Sequence, residues 1–262
     1  MRPAILIGLL LGAAGVAQAQ TASPLFRLES GSGQTPLFEL YTSEGCSSCP
    51  PAEQWLSALV TSPDLWREFV PVAFHVDYWD NLGWRDPFGS PAYSLRQRGY
   101  AAAWQTPSVY TPGFVWNGNE WRGWFQGQTL PSSDHPPAGS LTATWLAGPQ
   151  WTVTFKPTAS QPRLYVAHLA LLGFGLASTV TAGENKGRVL LHDFVALTLA
   201  EAPLLRLAEG YHATLNVHPP LTVKPQRLGV AAWITLGNGG PPAQAVGGWL
   251  DTSPQAAGTQ PH

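Results

Sequence analysis

The stretch GCSSCPP, Gly45 to Pro51, constrains this chain more than any other seven residues. Two successive prolines remove two backbone N–H donors, which a strand or a helix interior cannot spare but the first turn of a helix can. Before them, PLFELYTS is apolar and reads as a buried strand. After them, PPAEQWLSALV places Trp55, Leu56 and Leu59 on one face at helical spacing. The segment is therefore predicted as strand, turn, helix, with both cysteines of the chain at the junction. Cys46 is placed near the helix N-terminus and Cys49 about one turn along it.

The alternation continues as far as residue 130. FVPVAFHVDYW reads as a second buried strand, and SPAYSLRQRGYAAAW as a helix with Ser90 at the N-cap and Pro91 at its first position. GFVWNGNEWRGW reads as a hairpin turning at Asn117-Gly118. Residues 131–140, PSSDHPPAGS, form a Pro/Gly-rich linker. Beyond it the helical period fades into short β-prone runs separated by Gly, Pro and Asn, which suggests a sandwich over 141–250 and a disordered tail over 251–262. One run, Leu164 to Ala182, carries no charge and approaches membrane-span length. Gly173, Gly175 and the β-branched Thr179-Val180-Thr181 favour a strand pair there.

Residues 1–19 combine Arg2, an apolar run from Ala4 to Val16 and an A-x-A ending at Ala19, the pattern of a cleaved signal peptide. The mature chain is expected to begin at Gln20, to be periplasmic or secreted, and to hold no stable membrane insertion. Export places the cysteines where a disulfide persists. The formal net charge is −2, which gives no basic field for nucleic acid. G-x-S-x-G, P-loop and H-E-x-x-H patterns do not occur.

A thiol near a helix N-terminus is stabilised as thiolate by the unpaired N–H groups and the helix dipole. On this reading Cys46 attacks a client and Cys49 resolves the mixed disulfide. A bridge over so few residues adds little chain-entropy stabilisation, which counts against a purely structural pair. Glu44, Ser47 and Ser48 are the neighbours able to tune the thiols. His75 and Asp77, at the carboxyl end of the second strand, are candidate proton carriers or client contacts, or else a core histidine and a turn former. The aromatic stretches Tyr78–Trp84 and Trp116–Phe125 form either an apolar rim for a client or packing between domains. GENKGR, Gly183 to Arg188, reads as a polar turn with solvated charges.

C-x-x-C between strand and helix, followed by VYTPGFVWNG with Thr111-Pro112 before a strand, resembles the thioredoxin superfamily. With AFHVDYWDNLGWRDPFGSPAYSLRQRGYA and GENKGR in order, the chain is similar to the exported thioredoxin-like family catalogued as domain of unknown function 1223. The resemblance implies an α/β first domain over 20–130, a thioredoxin-like mixed sheet flanked by helices, with a β-rich, sandwich-like domain after it. It also implies that Pro112 is cis and lies against the disulfide, and that Thr111 offers its backbone to a bound peptide. The function expected is an exported thiol–disulfide oxidoreductase acting on protein or peptide thiols and disulfides with a separate electron partner, without cofactor or resident metal. The competing expectations are a soft-metal (copper) carrier using both thiolates with His75 or His135, and a non-catalytic binding module.

Overall fold

The strand order is set by where the chain can bury both faces of a strand. In the computed structural model, which describes residues 25–158, 163–218, 223–237 and 239–250, the first half carries β1 (Phe26–Glu29), β2 (Leu37–Thr42), α1 (Pro50–Ser57), β3 (Val70–His75), α2 (Pro91–Ala103), β4 (Gly113–Trp116) and β5 (Asn119–Glu120). Strands alone follow: β6 (Gly139–Ala147), β7 (Gln150–Pro157), β8 (Tyr165–Phe174), β9 (Leu176–Thr179) and β10 (Val189–His192). The last five are β11 (Val195–Pro203), β12 (Leu205–Leu207), β13 (Gly210–Asn216), β14 (Arg227–Leu236) and β15 (Pro242–Trp249). The expected signal peptide and tail lie outside the described residues.

Eight strands form one sheet in the order β15-β14-β8-β11-β3-β2-β4-β5, and five form a second, β1-β6-β7-β13-β12. β9 and β10 make a separate hairpin. Only β2–β3 and β3–β11 are parallel; the other pairings are antiparallel. Side chains alternate across a strand, and β8 and β14 use both faces. Tyr165, Ala167, Leu169, Val230, Ala232 and Ile234 join Trp151, Val153 and Phe155 of β7 in a core shared by the two sheets. Ala170, Leu172, Phe174, Ala231 and Trp233 face a second core with Leu40, Phe74 and Tyr93. A strand buried on both sides reads as an unbroken apolar run, which explains the uncharged stretch from Leu164. Among the described residues no helix is long and apolar enough to cross a membrane.

This corrects the fold expected above. The protein is not a thioredoxin-like sheet flanked by helices with a β-sandwich-like domain appended; it is dominated by strands, with two α-helices among the described residues. β11 pairs directly with β3, so strands from both sides of 131–140 share one sheet. The helices cover one face: Trp55 of α1 packs on Phe38, while in α2 Arg96 and Tyr100 reach Glu39, Tyr93 packs on Phe74 and donates to the Ala196 carbonyl of β11, and Arg96 lies over Trp233 of β14. The second sheet covers the opposite face of β8 and β14.

Local chemistry explains the turns. The Ser90 hydroxyl accepts from Ala92 N–H and Pro91 opens α2, where its missing N–H costs nothing. Asn117 and Gly118 both have positive φ, 46° and 86°, as a tight hairpin between β4 and β5 requires.

Candidate functional site

Cys46 and Cys49 form a disulfide in the turn between β2 and α1, with their Cα atoms 5.5 Å apart. Cys49 is the N-cap of α1 and not a residue one turn inside it, because Pro50 and Pro51 can open a helix but cannot continue one. Cys46 precedes the helix, in a turn closed by Cys49 N–H donating to the Cys46 carbonyl at 3.2 Å. Both cysteines are buried, at 1% and 0% exposure, while Ser47 and Ser48 between them are exposed. The Ser48 hydroxyl lies 3.3 Å from Cys46 Sγ.

The Thr111-Pro112 peptide is cis, and the Thr111 carbonyl oxygen lies 3.7 Å from Cys46 Sγ. Trp79 Nε1–H donates to Thr111 Oγ1 at 2.8 Å, which ties the aromatic stretch after β3 to this segment. A cleft of about 250 Å³ flanks it at Tyr110 and Gly113, lined also by Gln97, Trp104, Glu120 and Arg122.

The GENKGR segment is where reading by composition missed most. Asn185 is 1% exposed, and its side-chain amide donates to the carbonyls of Glu44 and Cys46 at 2.8 and 2.9 Å. Its own oxygen accepts from Arg188 at 2.7 Å, and the Glu184 carboxylate accepts Ser47 N–H at 2.9 Å. Hydrogen bonds from the Ser47 hydroxyl and from its backbone N–H hold the Glu184 carboxyl below its ordinary pKa. The turn between β9 and β10 is thus clamped onto the cysteine loop, not solvated as a free turn.

Beneath the loop lies a buried polar network. His192, at the end of β10, donates from Nδ1 to Glu53 Oε2 and from Nε2 to Glu44 Oε1 (2.9 Å). Burial opposes protonation of this ring, but the two carboxylates outweigh it and raise the His192 pKa to about 10. The second Glu44 oxygen accepts from Trp84 Nε1 at 2.7 Å and from the Ser178 hydroxyl at 3.2 Å. Glu53, in the first turn of α1, also accepts from the Thr42 hydroxyl. Its burial favours the neutral acid, yet the hydrogen bond and charge of His192 prevail and lower its pKa.

His75 ends β3 with Nδ1–H donating to Asp86 at 2.8 Å, and its Nε2, buried, has no partner among the described residues. Burial disfavours its charged form, but Asp86 overrides this and raises the pKa; Asp86, buried too, is lowered in turn by His75. Asp77 does not join the cluster: its carboxylate accepts from the Ser94 hydroxyl of α2, as a turn residue. His135 is elsewhere, with both ring nitrogens engaged by the Gln34 carbonyl and the Glu68 carboxylate. The structure therefore brings Cys46, Cys49, Ser48, Thr111 and Pro112 together, sets Glu44 and His75 in the layer below, and leaves Asp77 and His135 out. Glu53, Asp86, Asn185 and His192 were not legible as site residues, since their partners lie as far as 148 residues away. An acid in the first turn after C-x-x-C was the one available signal.

No curated protein matches the chain. Two solved structures are similar: a protein of Agrobacterium tumefaciens (22% identity, TM-score 0.54, covering 89% of this chain and 100% of that one), and HBP35 of Porphyromonas gingivalis (13% identity, TM-score 0.55, 89% and 80%). At these identities they bear on the fold alone. The family described as protein of unknown function (DUF1223) matches residues 37–235, and the chain belongs to it.

Proposed function

We propose that this protein is an exported thiol–disulfide oxidoreductase that exchanges electrons with protein or peptide clients through Cys46 and Cys49. The observation that carries the reading is the disulfide in a loop whose Cys46 sulfur faces the Thr111 carbonyl and the Ser48 hydroxyl. In the reducing direction the Cys46 thiolate attacks a client disulfide, forming a mixed disulfide and releasing one client thiolate. Cys49 then attacks Cys46 Sγ, which frees the second client thiolate and closes the internal disulfide; two electrons pass to the client and the pair is oxidised. The oxidising direction is the reverse. Because Cys46 is 1% exposed, the loop must move away from Glu184 and Asn185 for a client to reach it. The leader-like residues 1–19 support export.

The burial of both sulfurs also favours a second reading, a closed structural staple. Equilibration with glutathione buffers separates the two. A staple resists reduction, with a potential below about −300 mV, whereas an exchanging pair lies above it. The oxidoreductase reading also expects Cys49→Ala to accumulate mixed disulfides through Cys46. A potential below that limit together with no trapped client would leave the staple.

A further inference from the structure

We infer that Glu53, His75 and His192 form a binding site for one divalent first-row transition ion of borderline softness, zinc being the type. One donor atom from each residue lies within 4.8 Å of the other two, and all three residues are buried. They come from three elements, α1, β3 and β10, so the fold and not a local motif assembles them. Two imidazoles and one carboxylate are a donor set that zinc takes in three-ligand sites. The set lacks the thiolates that would select copper(I) and the all-oxygen shell of magnesium or calcium.

Two further observations point the same way. His75 gives Nδ1–H to Asp86, which leaves Nε2 as the nitrogen it can bring, and that atom is buried without a partner among the described residues. An orphaned buried polar atom in an otherwise satisfied network calls for an explanation, and a bound ion is one of the few available. The outer shell is also of the right kind. Metal-ligating histidines hand their second ring N–H to a carboxylate. Here His75 faces Asp86, His192 Nε2 faces Glu44, and the Thr42 hydroxyl donates to Glu53.

Charge supplies the third argument. Glu44, Glu53 and Asp86 are 0%, 6% and 2% exposed, and among the described residues no Lys or Arg pairs with any of them. The His75 and His192 rings are their charged partners, and a divalent ion taking the place of the two ring protons would supply the same positive charge. An ion centred among donors no more than 4.8 Å apart lies within about 2.8 Å of each, against zinc–nitrogen bonds of about 2.0–2.1 Å. His75 Nε2 therefore needs to move inward by less than about 1 Å, while His192 Nδ1 gives up its proton and opens slightly from Glu53 to admit the ion.

The test uses the full chain, stripped with chelator and kept oxidised so that neither sulfur can ligate. Zinc ion alone is titrated by calorimetry, and cobalt(II) serves as a spectroscopic substitute. The expected result is one ion per chain, with cobalt d–d bands and no thiolate charge-transfer band. His75→Asn keeps an amide N–H where Nδ1 met Asp86 but deletes Nε2, and is expected to weaken binding by at least about 100-fold while the far-UV spectrum is retained. Asp86→Asn is expected to weaken it about 10–100-fold. Should His75→Asn fail to fold, Glu53→Gln removes a different ligand. The inference is overturned if the oxidised wild type takes up no zinc, if a folded ligand variant binds as wild type, or if uptake appears only after reduction and disappears in Cys46→Ser. Keeping the disulfide closed separates this result from the fate of the oxidoreductase reading.

Discussion

Replacing Asn185 by Ala tests whether the β9–β10 turn holds the cysteine loop in place. The wild-type amide donates two hydrogen bonds, to the carbonyls of Glu44 and Cys46, in a position 1% exposed. Alanine leaves both carbonyls without that donor. The Glu44 carbonyl is stranded, at about 1–3 kcal/mol, while the Cys46 carbonyl keeps Cys49 N–H and loses only a second hydrogen bond, at about 0.5–1.5 kcal/mol, so the pair is worth about 1.5–4.5 kcal/mol. At roughly 2–4 °C per kcal/mol for a chain of this size, the melting temperature should fall by at least about 3 °C. The urea midpoint should fall with an unchanged slope, because the surface exposed on unfolding is the same. Reduction of the Cys46–Cys49 bond by dithiothreitol should accelerate, since the loop then loses the contact that covers it. Asn185→Asp keeps the acceptor for Arg188 but sets a carboxylate oxygen against two carbonyls, and should be less stable than Asn185→Ala. A variant within 0.5 kcal/mol of wild type that is reduced at the same rate would refute the clamp.

The remaining predictions concern packing and charge around the same sheet. Glu39 is 0% exposed and bonded to Arg96, Tyr100 and Tyr41; Arg96→Met should cost about 3–5 kcal/mol by stranding it, and adding Glu39→Gln should recover part of the loss in denaturant unfolding. In Gly45→Ala the new Cβ would stand 2.9 Å from Trp79 Cβ, so calorimetry should show a loss of about 1–3 kcal/mol from overpacking beside the cysteine loop. His135 has a raised pKa, held up by the Gln34 carbonyl and by Glu68, with Asp134 nearby. A raised histidine stabilises the fold fully below its unfolded pKa of about 6.5 and loses that contribution as pH rises through the folded value. Denaturant midpoints should therefore fall more steeply above about pH 6.5 in wild type than in His135→Gln, and equal slopes would remove the argument.

The legible parts of the site were local. Two prolines after Cys49 fixed the strand–turn–helix, because their missing N–H groups leave one place for them. Ser90-Pro91 and Asn117-Gly118 likewise marked a helix start and a hairpin by backbone chemistry alone. The buried network was not legible, because a histidine in RVLLHDF gives no sign that it will meet a glutamate 139 residues earlier. GENKGR misled for a related reason: a polar turn looks solvated until another loop supplies carbonyls for its asparagine. The fold class failed because β8 and β14, read as part of a separate sandwich, extend the same sheet as β2 and β3.

The sequence by itself determined which backbone stretches are strands, turns and helices near the cysteines, since side-chain periodicity and the restricted φ of proline act over a few residues. It also determined that two cysteines sit close enough to bridge. Tertiary structure decided which strands became neighbours, which sides of β8 and β14 were covered by helices or by the second sheet, and that Glu53, His75 and His192 meet under the loop. Those outcomes depend on burying apolar faces and pairing buried charges across more than a hundred residues, energies to which no local stretch contributes alone.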